Sequence, residues 1–200
     1  MNSRENLLSA GACALLAVLF PFYWITFLGQ SMAGFEEALK QDLLTFNWLD
    51  LLFVIIGALE VSIYLALSNH LKTHFNATAA RMLLFIMAGL VSIFHLTVLF
   101  DIYFALSNQT TLSETTGVVV MVIALGSLGL FSLVAAVFSI VCLVNQHLPP
   151  LLKVFSVLML LMCLLQMTLV LSFTNVFLFP AALLLLSIYF VREKEELEVI

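Results

Sequence analysis

The sequence predicts an all-α, polytopic transmembrane helix bundle of six spans. Three observations carry that reading: the composition, the lengths of the apolar runs, and the distribution of the cations. Of 200 residues, 64% are hydrophobic and only 10% are charged, with a mean hydropathy of +1.19. A water-soluble domain is about 45–50% apolar and about 25% charged, so this chain lacks the polar side chains to cover a surface facing water. The same figures exclude a disordered chain. Three cysteines are too few for a disulfide-stapled secreted module. A net charge of −5 offers no basic field for nucleic acid.

The apolar runs give the spans, since about 20 apolar residues cross a hydrocarbon core of about 30 Å. The first four are Leu7–Leu28, Trp48–Leu67, Met82–Leu106 and Gly117–Val144. The first begins after Arg4 but runs on to Leu28 with no small-residue cleavage box, which makes it a retained helix rather than a signal peptide. After Pro149-Pro150 a single apolar tract reaches Val191. As one helix it would extend about 60 Å, twice the thickness available. Its polar interruption, Ser172-Phe173-Thr174-Asn175, divides it into spans 151–171 and 176–191. Pro180 falls one turn into the last span, where an early proline is tolerated. A five-span chain with a re-entrant final segment is the alternative. The whole is one integral membrane domain, residues 1–200.

Lys and Arg orient the bundle, because they are retained on the cytoplasmic side. With six spans, Arg4, Lys72, Arg81, Lys153, Arg192 and Lys194 share one side, and Lys40 alone lies opposite, among Glu36, Glu37 and Asp42. Both termini are therefore expected in the cytoplasm. Five spans would send Arg192 and Lys194 outward, which favours six.

The outer loop after the first span carries Phe35, Ala38, Leu39, Leu43 and Phe46 at helical spacing, with Glu36, Glu37, Lys40 and Gln41 opposite. That pattern predicts a short amphipathic helix (35–46) lying on the membrane interface. At the other end, Arg192–Glu196 and Lys194–Glu198 are i,i+4 pairs that extend the last helix beyond the bilayer.

Ionisable groups inside a span are expensive and mark places of interest. Asp50, Glu60, His95 and Asp101 are the four such residues, and Gln166 joins them as a polar candidate. On the second span Asp50, Gly57, Glu60 and Tyr64 lie within roughly 80° of one another, so that face looks into the bundle. Glu60 lies about 18 Å and His95 about 16 Å below the outer ends of their helices. These helices are consecutive and antiparallel, hence expected neighbours, and a Glu60–His95 pair near mid-membrane follows. It would be either a structural hydrogen bond holding two helices in register or one station of a proton path. Continuing the helix beyond His95 places Tyr103 on the same broad side and turns Asp101 away.

The fourth span has no charge. Gly129, Ser132, Ala136 and Ser139 share a face with Gly126 beside them, a stripe of small residues that lets another helix approach closely. It serves either this bundle or a partner.

Other chemistry is missing. A bis-histidine haem needs two facing imidazoles, and only His95 falls within a span. His70, His74 and His147 are assigned to cytoplasmic loops, and the i,i+4 pair His70/His74 lacks a nearby acid or cysteine to complete a metal site. Cys13, Cys142 and Cys163 lie in separate spans without a C-x-x-C. No phosphate-binding loop, nucleophile elbow or zinc-protease motif is present. No metal, cofactor or catalytic residue is expected.

Three functions remain. The first is a non-enzymatic scaffold, accessory or immunity-type protein, acting through helix–helix contacts with a membrane-protein partner or a second copy. The next is a small proton-coupled transporter or channel using Glu60 and His95, followed by an intramembrane enzyme acting on lipid. The lipid bilayer is the partner in every case and nucleic acid in none, and a bacterial inner membrane is the expected location.

Overall fold

The computed structural model of the chain describes residues 3–31, 44–107, 114–168 and 171–198. Among them seven α-helices follow in order: α1 (Ser3–Ser31), α2 (Trp48–Phe75), α3 (Thr78–His95), α4 (Val98–Leu106), α5 (Glu114–Val144), α6 (Pro150–Met167) and α7 (Asn175–Glu198). A 3₁₀ turn, Leu171–Thr174, precedes α7, and no strand occurs among the described residues. Six described segments are long and apolar enough to cross a membrane, the third built from α3 and α4 together. The chain is an integral membrane protein by that measure. Residues 35–43 of the expected amphipathic helix (35–46) lie outside the described residues.

Local chemistry sets the helix ends. At the start of α2, the Leu49 N–H donates to Asn47 Oδ1 at 2.7 Å and the Asn47 N–H donates to Asp50 Oδ2 at 2.5 Å. This reciprocal pair satisfies two of the amides that every helix N-terminus leaves open. α2 ends at Asn76, whose φ of 48° is the left-handed cap that asparagine tolerates. Pro150 occupies the first turn of α6, where a missing N–H costs nothing. α2 runs eight residues past the expected end of its span, so His70 and His74 belong to the helix rather than to a loop.

The third span is two helices rather than one. After His95 the bonding shifts from i→i−4 to i→i−3: Thr97 N donates to Phe94 O, Leu99 N to Leu96 O and Phe100 N to Thr97 O. The Thr97 hydroxyl also bonds Phe94 O at 2.7 Å. The tighter winding resets the phase of α4. Asp101 is consequently buried and Tyr103 is 60% exposed, the reverse of what an unbroken helix predicts.

Each span packs on its neighbours in sequence, and α7 returns to α1, so the six close into a ring. The closing seam is antiparallel. Ser187 Oγ donates to Ala10 O at 2.9 Å near one end, and the Phe20 and Phe179 rings meet edge-on at 4.7 Å further along. Six alternating spans bring both ends of the chain to one face, here called the terminal face. Arg4, Lys72, Arg81, Lys153 and Arg192 sit at helix ends on that face.

The two halves of the ring differ. Toward the terminal face it is filled by fully buried side chains, among them Leu67, Leu71, Leu84, Phe138, Leu186 and Phe190. Contacts across the ring close this half. His70 Nε2 lies 2.6 Å from the Tyr189 hydroxyl, linking α2 to α7, and the Tyr64 and Phe131 rings approach to 6.0 Å between α2 and α5. The far half holds a cavity.

The small-residue face of α5 divides between the two environments. Ser132 and Ser139 are buried and donate back to Leu128 O and Ala135 O. Ala136 is half-buried, while Gly126 and Gly129 are exposed, with nothing within 4 Å of where a Cβ would stand. Gly129→Leu should therefore leave the thermal midpoint of the lipid-embedded protein almost unchanged. Ala135→Leu, at a position with no exposure, should destabilise by about 1–3 kcal/mol through overpacking. Thermal or denaturant unfolding of the two variants checks the contrast.

Candidate functional site

The polar groups on the inward face of α2 are separated by whole helical turns and meet different surroundings. Asp50 is occupied as the reciprocal cap of α2, which gives it a structural use at the far end of the helix. Ten residues on, Glu60 is 8% exposed and its Oε2 lies 3.8 Å from His95 Nε2 of α3. The structure brings these two together. One turn further, Tyr64 is also buried, and its hydroxyl has no hydrogen-bond partner among the described residues.

His95 owes its position to three features. It is the last residue of α3 before the 3₁₀ turn. Its ring lies 4.2 Å from that of Phe53, which in turn meets Phe94 edge-on at 5.2 Å. Finally, it is seated on Gly57. A Cβ there would overlap His95 Cγ and stand 2.6 Å from Cδ2, far inside van der Waals contact. Glycine is what lets the imidazole lie against the α2 backbone, one turn from Glu60. The sequence placed Gly57 on the polar stripe without this role. The available signal was a glycine tolerated at the centre of a long helix, where it costs roughly 1 kcal/mol against alanine.

Glu60, Tyr64 and His95 open onto a cavity of about 370 Å³ lined by all six spans. That volume falls in the range of small-molecule sites. Its lining runs from Leu28, Gln166, Ser172 and Phe173 at the far ends of the helices down to Glu60 and Tyr64. The walls are mostly apolar, with the rings of Phe20, Trp24, Phe53, Phe94, Phe131 and Phe179 prominent. Gln166 lies at the rim, where its Oε1 accepts from Asn175 Nδ2 at 3.0 Å. The same amide donates to Met162 O at 3.2 Å, so Asn175 ties the start of α7 to α6.

The remaining candidates lie apart. Asp101 is buried on α4, beyond the break, and does not line the cavity. Of the α5 stripe, Ser132 alone does. His70 is fully buried, and besides its bond to Tyr189 its ring stacks on His74 at 4.4 Å. Among the described residues no three His, Cys, Asp or Glu side chains group as metal ligands would. Sequence reasoning missed the His70–Tyr189 link because the partners are 119 residues apart. It also missed Asn6, which is fully buried with neither side-chain atom hydrogen-bonded among the described residues. Comparison with protein-family models, curated proteins and solved structures gives no match for this chain.

The seat of His95 is open to a double-mutant cycle. Gly57→Ala should cost about 1–3 kcal/mol of stability, because the ring must move. Most of that loss should disappear when Gly57→Ala is made in a His95→Ala background. Equal costs in both backgrounds would detach Gly57 from His95.

Proposed function

We propose that the chain is a small proton-coupled carrier for an apolar solute, non-enzymatic, with Glu60 and His95 as its proton-exchanging pair. The observation that carries this reading is the convergence of Glu60, His95 and the buried Tyr64 hydroxyl on one cavity among six spans. A carboxylate and an imidazole within one partner's reach can share a proton and pass it on when a solute or water intervenes. The packed terminal half and the cavity in the far half correspond to one end state of an alternating-access cycle. The distribution of Lys and Arg supports cytoplasmic termini and a cavity that faces outward, across a bacterial inner membrane.

The solute need not be identified for the test. Proteoliposomes containing a lumenal pH indicator are exposed, under an imposed pH gradient, to a panel of lipophilic neutral, cationic and anionic compounds. At least one compound should cause protein-dependent proton movement, abolished in Glu60→Gln and reduced at least tenfold in His95→Ala. Proton movement unchanged in both variants, or none with any compound, would overturn the carrier reading.

The accessory role is the second reading. It is favoured by the open space over Gly126 and Gly129 on the outer side of α5, which leaves room for a helix from a partner or a second copy.

A further inference from the structure

The cavity has a marked charge character. Among the described residues, Glu60 is the one carboxylate that lines it, and neither Lys nor Arg does. The other titratable groups facing Glu60 across it, again among the described residues, can be named by element: Tyr23 from α1, Tyr64 from α2, His95 from α3 and Cys163 from α6. α5 and α7 contribute none, presenting Phe131, Ser132, Asn175 and Phe179. An anion entering this space would meet a carboxylate and no lasting countercharge. A cation would meet the carboxylate and a wall of aromatic rings, whose faces attract positive charge at about 0.5–2 kcal/mol per contact.

We propose that the cavity binds a lipophilic organic cation, an amine or a quaternary ammonium or phosphonium. Its charge is met by Glu60 and its apolar body lies against Phe53, Phe131 and Phe179. The proposal rests on the carrier reading of the same cavity and names its substrate class. The occupant has a competitor built into the site. His95 stands 3.8 Å from Glu60, and when protonated it supplies the positive charge that the solute would bring. Cation and proton therefore exclude one another at Glu60, which is the coupling an exchanger needs. The Tyr64 hydroxyl, buried one turn from Glu60 and without a hydrogen-bond partner among the described residues, is placed to donate to the carboxylate or to a water accompanying the solute.

Trp24 lines the cavity and reports on its contents, whereas Trp48 lies exposed outside it. The test is a fluorescence titration of the full chain carrying Trp48→Phe in lipid nanodiscs, with protein-free discs subtracted. Tetraphenylphosphonium is compared with tetraphenylborate, an anion of nearly the same shape. Saturable quenching by the phosphonium alone is expected, with a midpoint at least tenfold higher in Glu60→Gln. The midpoint should also rise as pH is lowered from 8 to 5.5. Saturable quenching by both ions, by neither, or with equal phosphonium midpoints in wild type and Glu60→Gln, would overturn the proposal. The phosphonium–borate comparison uses the unaltered site, so it decides even if Glu60→Gln fails to fold. Failure of this proposal is separable from failure of the carrier reading. If neutral solutes drive proton movement while cations do not, the substrate class falls and the carrier stands. Silence of every solute removes both.

Discussion

A carboxyl group buried near the middle of an apolar, span-length helix is the constraint around which this bundle is read. At a helix centre an acidic side chain costs about 2.5–3.5 kcal/mol to insert, and a chain with so few charges has little reason to carry one there unless it is compensated. Glu60 has the His95 imidazole beside it, at 3.8 Å. That approach depends on Gly57, since any side chain would occupy the space of the imidazole. It depends also on α3 ending at His95, which fixes the ring at a helix terminus rather than along a continuous rod. The pair thus sits where a mid-helix glycine, a broken span and the packing of α2 on α3 meet.

The same constraint explains why the ring is packed unevenly. Six helices closing in sequence leave a centre that must be filled or left open. In the terminal half, Leu67, Phe138, Leu186 and Phe190 fill it, and the His70–Tyr189 bond joins two buried polar groups across it. In the far half aromatic side chains stand back around the cavity, with Glu60 and Tyr64 at its floor. A polar floor under an apolar shaft leaves room for one small solute beside Glu60 and His95. The 3₁₀ turn beside His95 separates α3 from α4, its backbone bonds displaced from the α pattern.

Much of this was legible in the sequence. Span lengths follow from hydrocarbon thickness, so the six spans emerge from counting. The inward face of α2 follows from helical geometry, and depth arithmetic sufficed to pair Glu60 with His95. The failures have separate causes. Extrapolating one helical phase through residues 82–106 placed Asp101 and Tyr103 on the wrong sides, because no proline or glycine announces the break and only Ser92 and Thr97 hint at it through backbone-directed hydroxyls. His70 was assigned to a loop because hydropathy fades before the helix does. The cavity itself, and the seat at Gly57, depend on how side chains from different spans meet. No single-span pattern encodes that.

The central claim is that Glu60 lies at the floor of a cavity entered from the face opposite the termini. Cys163 offers the most direct measurement, since it lines that cavity while Cys13 and Cys142 are buried elsewhere. With Cys13 and Cys142 replaced by alanine, a small membrane-impermeant methanethiosulfonate is applied to one side of oriented membranes or the other. Modification of Cys163 from the far face, and not from the terminal face, is the expected result, with protection by a bound cavity ligand. Modification from the terminal face, or from neither, would contradict it.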